Sequence, residues 1–415
     1  MILLLALGGC RDRQPSDGVV LTFPISMLGA EAAVLDAQLD RYMTEHPGIT
    51  VIRQPTPDAA DQRHQIYVQR LNARSSDPDI LQLDVIWTAE FAAAGWILPL
   101  DRFGPDTAAF FPAAIAANRW NGQLFALPWF VDVGMMYWRT DLLESAPTSF
   151  AEIAGLERLR SDSVPFALVW QGARYEGLVT VFLEYLGGFG GGILGDHGEV
   201  LVDAESAIAA LTAMRDQVAS GAVPRSVLTW QEEQARFAFQ NGRAVLMRNW
   251  PYAFPLLADS TASRVAGRFA VAPMPAGPGG APTAALGGAQ LAINARTEHP
   301  EEAFALVDWL TRPEQMLERA RGVGQYPARP ALYQDDRLAD ALAIPPATAA
   351  AIIARAVPRP VTPVYTELSA LLQIALHRAL SGQETPEAAL RDAATRIRAL
   401  LDRTGLAREG SDAAR

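Results

Sequence analysis

Between residues 19 and 87 the chain switches repeatedly between two hydrophobic periods, and that alternation restricts its fold more than any other feature. Val19-Val20-Leu21-Thr22-Phe23 reads as a strand. A helix is predicted over about 31–46, with Leu35, Leu39, Tyr42 and Met43 on one stripe. Pro47-Gly48 stops it, and Ile49-Thr50-Val51-Ile52 restarts as a strand. A second helix over 61–73 carries Ile66, Val68 and Leu71. Ile80-Leu81-Gln82-Leu83-Asp84-Val85-Ile86-Trp87 then reads as a buried strand. Strand, helix, strand, helix, strand at this spacing implies a parallel sheet with helices on its faces.

The same alternation returns later. Strands are predicted over 165–170, 244–247 and 291–293, and helices over 175–186, 204–219 and 232–240. Pro300 opens a further helix with Glu301 and Glu302 near its positive end. The terminal helix starts at Thr385-Pro386-Glu387 and turns Leu390, Ala394, Ile397 and Leu401 inward. Residues 273–288 are rich in Pro and Gly and read as a mobile connection.

Composition narrows the function. Half of the 415 residues are apolar and a fifth are charged, enough for real cores. The net charge of −11 argues against a nucleic-acid partner, which calls for basic patches. Cys10 is the one cysteine, so no internal disulfide forms and stability rests on packing. It follows Leu7-Gly8-Gly9 at the end of a short apolar run and precedes a polar stretch. This arrangement resembles a bacterial lipobox, which implies cleavage before Cys10, lipid on that residue and a tether over 11–16. The run is too short to span a bilayer, which takes ~20 apolar residues.

A catalytic constellation is not evident. The five histidines show no metal-ligand spacing. There is no Gly-Xaa-Ser-Xaa-Gly elbow, phosphate loop or dinucleotide fingerprint. No metal and no cofactor is expected. Carboxylates are plentiful, so a glycosidase pair stays open as an alternative. What recurs instead is a mixture of rings, carboxylates and glycines after predicted strands. Asp84 lies beside Trp87 and Glu90. Asp132 follows Trp129-Phe130-Val131. Tyr175 and Glu176 follow Trp170-Gln171-Gly172, and Trp250 and Tyr252 follow Arg248-Asn249. Carbohydrates need this mixture: the C–H face of a pyranose packs on an aromatic ring, and its hydroxyls need polar partners. Ligands of open α/β sheets bind outside the carboxyl ends of the strands.

These segments resemble, in order and spacing, family 1 of the extracellular solute-binding proteins of ABC importers, the trehalose/maltose-binding group. The likeness is carried by His46-Pro47-Gly48-Ile49-Thr50-Val51, by Leu83-Asp84-Val85-Ile86-Trp87 with Gly95-Trp96-Ile97, by the stretch from Asn121-Gly122 through Trp138-Arg139-Thr140-Asp141, and by Arg359-Pro360-Val361-Thr362-Pro363. The resemblance implies an α/β fold of two lobes, each a mainly parallel sheet flanked by helices, with the ligand in the cleft between them (a class II periplasmic-binding-protein fold). Residues 17–130 with 276–326 would form one lobe and 131–275 with 327–415 the other, with crossings near 129–133, 273–278 and 325–330. It further implies a non-enzymatic, extracytoplasmic, lipid-anchored monomer. Such a protein captures a disaccharide or short oligosaccharide and passes it to permease subunits in the membrane. Another solute, such as a polyol or oligopeptide, is the alternative, and a secreted glycoside hydrolase ranks third. Glu31, Asp84, Asp132, Tyr175, Glu176, Trp250, Tyr252, Gly288 and Arg329 are the implied ligand contacts. Ala289 departs from the pattern, since an aromatic residue is expected there.

Overall fold

The computed structural model describes residues 18–26, 31–57, 60–195 and 198–406. Cys10 and the tether lie outside them. Strand β1 (Val19–Ser26) pairs in parallel with β2 (Ile49–Thr56) across helix α1 (Glu31–Glu45), which buries Leu35, Leu39 and Tyr42. Helix α2 (Ala60–Asn72) leads to β3 (Ile80–Asp84). This strand is shorter than its apolar run. Asp84 Oδ1 accepts a hydrogen bond from Ile86 N at 3.3 Å, which turns the chain out of the sheet before Trp87.

The chain then forms β4 (Ala126–Val133), passes Gly134, and enters β5 (Met135–Arg139) in a different sheet. The second sheet is completed by β6 (Phe166–Val169), β7 (Ala244–Asn249) and β8 (Phe269–Ala272). After β8 the chain returns to the first body as β9 (Leu286–Ile293), which lies between β3 and β4.

The first lobe holds a parallel pair, β1–β2, and a separate antiparallel sheet, β3–β9–β4, while the four-stranded sheet of the second lobe is mixed, which corrects the expectation of mainly parallel sheets. Among the described strands only β1–β2 and β6–β7 pair in parallel; β9 runs antiparallel to β3 and β4, and β5 runs antiparallel to β7 and β8. The cause is the connectivity. Strands that carry the chain from one lobe to the other enter each sheet from the far side and run against the strands built by local crossovers.

Helix α3 (Glu176–Gly188) is apolar on nearly every face and forms the centre of the second lobe. Helices α4 (Glu205–Ser220), α5 (Glu232–Gln240), α8 (Tyr365–Leu380) and α9 (Pro386–Thr404) complete that lobe. Between α5 and α8 in the chain, α6 (Pro300–Leu310) and α7 (Pro313–Val323) pack on α1 in the first. The apolar residues of 332–356 share a core with Trp129 and Phe111 from the first lobe and Phe239 and Leu257 from the second. Val357 exchanges hydrogen bonds with the backbone at 284–286, beside the return crossing. No helix among the described residues is long and apolar enough to cross a membrane.

Candidate functional site

Strand β9 sets the floor of the cleft. It sits between β3 and β4, with Ala289 opposite both Asp84 and Phe130, and Gly287 opposite Asp132. The two acids therefore emerge on either side of a strand segment that has no side chains at 287 and 288. Gly288 adopts φ +113°, and a Cβ there would collide with Phe130 O and Val131 Cα. The ladder with β4 slips between Ala289 and Gln290, just past the glycine pair, which stays opposite Asp132 and Val131.

Above this floor lies a cavity of about 330 Å³ between the two lobes. From the first lobe it is lined by Glu31 and Asp84, from the end of the crossing strand β4 by Asp132, and from the second lobe by Tyr175, Trp250 and Tyr252. Glu176, Gly288 and Ala289 also line it. Eight of the nine expected contacts are thus brought together. Arg329 is not among the lining residues: its Nε donates to Thr311 O at 2.8 Å and its guanidinium lies over Phe110 at 4.2 Å. The guanidiniums that line the cavity belong to Arg63 and Arg359.

Arg359 joins the lobes. It donates to Glu176 Oε1 at 2.8 Å in the second lobe and to Asp84 Oδ1 at 3.1 Å in the first. Tyr365 OH and Ser369 Oγ also donate to Glu176. Burial pushes the Glu176 carboxyl up while Arg359 pulls it back. Burial alone would lower the Arg359 guanidinium, but Asp84 and Glu176 hold it above its usual range. A further contact crosses nearby, where Thr366 Oγ1 donates to Glu90 Oε2 at 2.7 Å.

The aromatic wall is oriented by two acids at the start of α5. Reciprocal bonds between Gln231 and Gln234 cap this helix and fix Glu232 and Glu233 in its first turn. Tyr175 OH donates to Glu232 Oε2 at 2.7 Å, Tyr252 OH donates to Glu233 Oε1 at 2.8 Å, and Trp250 Nε1 points at Glu232 Oε1 at 3.4 Å. Burial, with the neighbouring glutamates, raises both phenols well above their usual range, so they remain protonated donors.

The acidic wall is less completed. Gln325 Nε2 donates to Glu31 Oε1. Asp132 Oδ1 is enclosed and has no partner among the described residues. Burial pushes its carboxyl up to about 7, Glu31 and Asp84 add to the rise, and Arg248 opposes it. An enclosed acceptor without a donor, facing rings across a cavity, is suited to a neutral ligand rich in hydroxyls.

Sequence reasoning missed Arg359, Glu232, Glu233 and Gln325 as lining residues. The signal for Arg359 is Pro358-Arg359-Pro360, which stiffens the backbone at a buried cation. The signal for the glutamates is the capping pattern that opens α5.

Residues 28–317 match the family described as bacterial extracellular solute-binding protein. A protein of Deinococcus radiodurans named as a probable ABC transporter-binding protein is 34% identical over 390 residues, covering 90% of this chain and 91% of that one. The structure of maltose-bound T. maritima MalE3 superposes with a TM-score of 0.86 at 40% identity, covering 92% of this chain and 100% of that one. The GacH receptor of Streptomyces glaucescens, at 24% identity and a TM-score of 0.83 over 93% of this chain and 99% of its own, shares the fold. Match, coverage and two-lobed architecture agree, and the chain belongs to the bacterial extracellular solute-binding proteins.

Proposed function

We propose that this protein captures a maltose- or trehalose-like disaccharide, or a short oligosaccharide, and delivers it unchanged to the permease of an ABC importer. The observation that carries this reading is the cavity wall itself: Trp250, Tyr175 and Tyr252 face the enclosed, unpartnered Asp132 Oδ1 and the acids Glu31 and Asp84. A pyranose stacked on the indole places its ring hydroxyls toward those acceptors. The maltose held by the 40%-identical relative supports the same ligand class.

Ligand touches both lobes only when they close, so binding biases an open–closed equilibrium toward the closed form, which is the form that docks on the permease. The two bodies that move are 17–130 with 276–326 and 131–275 with 327–415. Backbone at Gly134 and along 273–285 absorbs the rotation. No step breaks a bond in the sugar. Arg329 acts behind this hinge as a structural residue. Lipid on Cys10 holds the protein to the membrane from outside the cytoplasm, and it works as a monomer.

The test is mass spectrometry of small molecules released when the protein, purified from its native host, is denatured. Hexose dimers or short oligomers support the reading. A released polyol or peptide would replace the sugar with another solute, and loss of intact maltose on incubation would point to hydrolysis. For the anchor, a Cys10→Ala chain should lose metabolic labelling by palmitate and leave the membrane fraction; unchanged labelling contradicts the lipid site.

A further inference from the structure

Directly beneath the Trp250 ring lies an ion pair whose two side chains are both fully buried, Glu184 on α3 and Arg248 on β7. Arg248 precedes Trp250 by two residues, so both side chains leave the chain on one side. The guanidinium carbon lies 3.8 Å from the indole centroid. Its Nε donates to Glu184 Oε2 at 2.8 Å, its Nη2 donates to Glu184 Oε1, and its Nη1 donates to Gln171 Oε1 at 3.1 Å. Gln171 Nε2 returns a bond to Arg248 O at 3.1 Å. This bidentate, bracketed cation covers one face of the ring, and the ring lines the cavity.

The pair also meets both passages of the chain between the lobes. A Cβ on Gly134, between β4 and β5, would overlap Glu184 Oε1 and lie 2.6 Å from Arg248 Nη2. On the return passage, Ala285 N donates to Glu184 Oε1 at 3.5 Å. Two chain crossings, one carboxylate, one guanidinium and one indole therefore form a single stack.

We propose that Glu184 and Arg248 are positioning residues for ligand capture. They hold the Trp250 ring at one tilt against the cleft and fix that ring to the segments about which the lobes rotate. The proposal rests on Trp250 being the face on which the sugar stacks. A ring held in place before binding spares the ordering of a large side chain when the ligand arrives, which is worth up to about tenfold in affinity. Lysine does not substitute for arginine here, because it keeps the charge beside Glu184 but has no plane to lay on the indole.

The experiment uses the full chain labelled with 5-fluorotryptophan and read by fluorine NMR, with Trp250→Phe assigning the Trp250 line. Glu184→Gln and Arg248→Lys are expected to shift or broaden that line, leave the lines of distant tryptophans in place, and weaken maltose about tenfold. Arg319→Met, which removes the arginine stacked on Trp129 in the other lobe, should leave the Trp250 line unmoved. Gly134→Ala, which presses on the pair from the crossing side with both charges intact, should move the line as Glu184→Gln does. If Glu184→Gln does not fold, Arg248→Lys and Gly134→Ala decide. A folded Arg248→Lys protein whose Trp250 line keeps its wild-type position and width overturns the proposal. Failure of the wild-type chain to bind maltose would instead overturn the sugar reading, while the fluorine line still reports whether the pair positions the ring.

Discussion

In each lobe a fully buried arginine lies 3.8 Å from a tryptophan ring, Arg248 in the second and Arg319 in the first, and the two are finished differently. In the second lobe, Arg248 lies 3.8 Å from Trp250 and spends its donors on Glu184 and Gln171. In the first, Arg319 lies at the same distance from Trp129, but only its Nε is bonded, to Gln325 Oε1 at 2.8 Å. Its two terminal nitrogens have no partner among the described residues. Burial pulls that guanidinium down to about 10, with Glu31 and Glu318 resisting the fall. The difference teaches how the cleft divides its work. The second lobe presents a ring whose support is complete before ligand arrives. The first lobe and the crossing strand β4 present the acceptors Glu31, which Gln325 already bonds, and Asp132, whose Oδ1 has no partner among the described residues.

The sharpest way to break this comparison is to remove each cation in turn. Arg248→Met strands a buried carboxylate and is expected to cost about 3–5 kcal/mol of stability by chemical denaturation. Arg319→Met gives up one hydrogen bond and keeps most of the packing, and should stay within about 1 kcal/mol of wild type. Equal losses would show that the two arginines are finished alike.

Proton linkage sharpens the acidic side. A sugar hydroxyl donating to Asp132 favours the ionised carboxylate, so binding releases a proton. Because that carboxyl sits at about 7 in the free protein, maltose affinity should fall as pH drops below about 7, approaching tenfold per unit, and Asp132→Asn should flatten the profile. For the free protein the sign reverses. Its carboxyl is raised in the fold, so the stability it contributes is complete below the unfolded value of 3.8 and is lost as pH rises through about 7. A flat binding profile in the wild type would remove Asp132 from the ligand's partners.

The smallest effect is a control inside the second lobe. Thr385 Oγ1 caps α9 by accepting from Ala388 N at 3.2 Å. Thr385→Ala should cost about 1 kcal/mol of stability with maltose affinity unchanged. A weakened affinity would mean that the lobe's support reaches beyond the Glu184–Arg248 stack.

Much of this architecture was legible because periodicity and punctuation agree locally. Pro47-Gly48 ends α1 where expected, and Thr385-Pro386 opens α9. What failed depended on contacts far apart in the chain. The Pro- and Gly-rich stretch 273–288 reads as a mobile connection, yet Gly287 and Gly288 lie in β9, where missing side chains make room for Asp132 and Trp250. Strand direction was misread because a period of two does not record the lobe from which a strand arrives. In the site, Asp84, Asp132, Tyr175, Trp250 and Tyr252 stand out as rings and acids after predicted strands, and Glu31 follows from the family resemblance alone. Arg359 does not stand out, because its partners Asp84 and Glu176 lie 275 and 183 residues away.

The central claim is that two lobes close on a neutral sugar held against Trp250. Calorimetric titration of the intact chain with maltose and with trehalose tests it most directly. Micromolar binding of one of them is expected, abolished in Trp250→Ala, with the sugar recovered uncleaved. Flat titrations with both sugars, or a Trp250→Ala chain that binds as tightly as wild type, would contradict it.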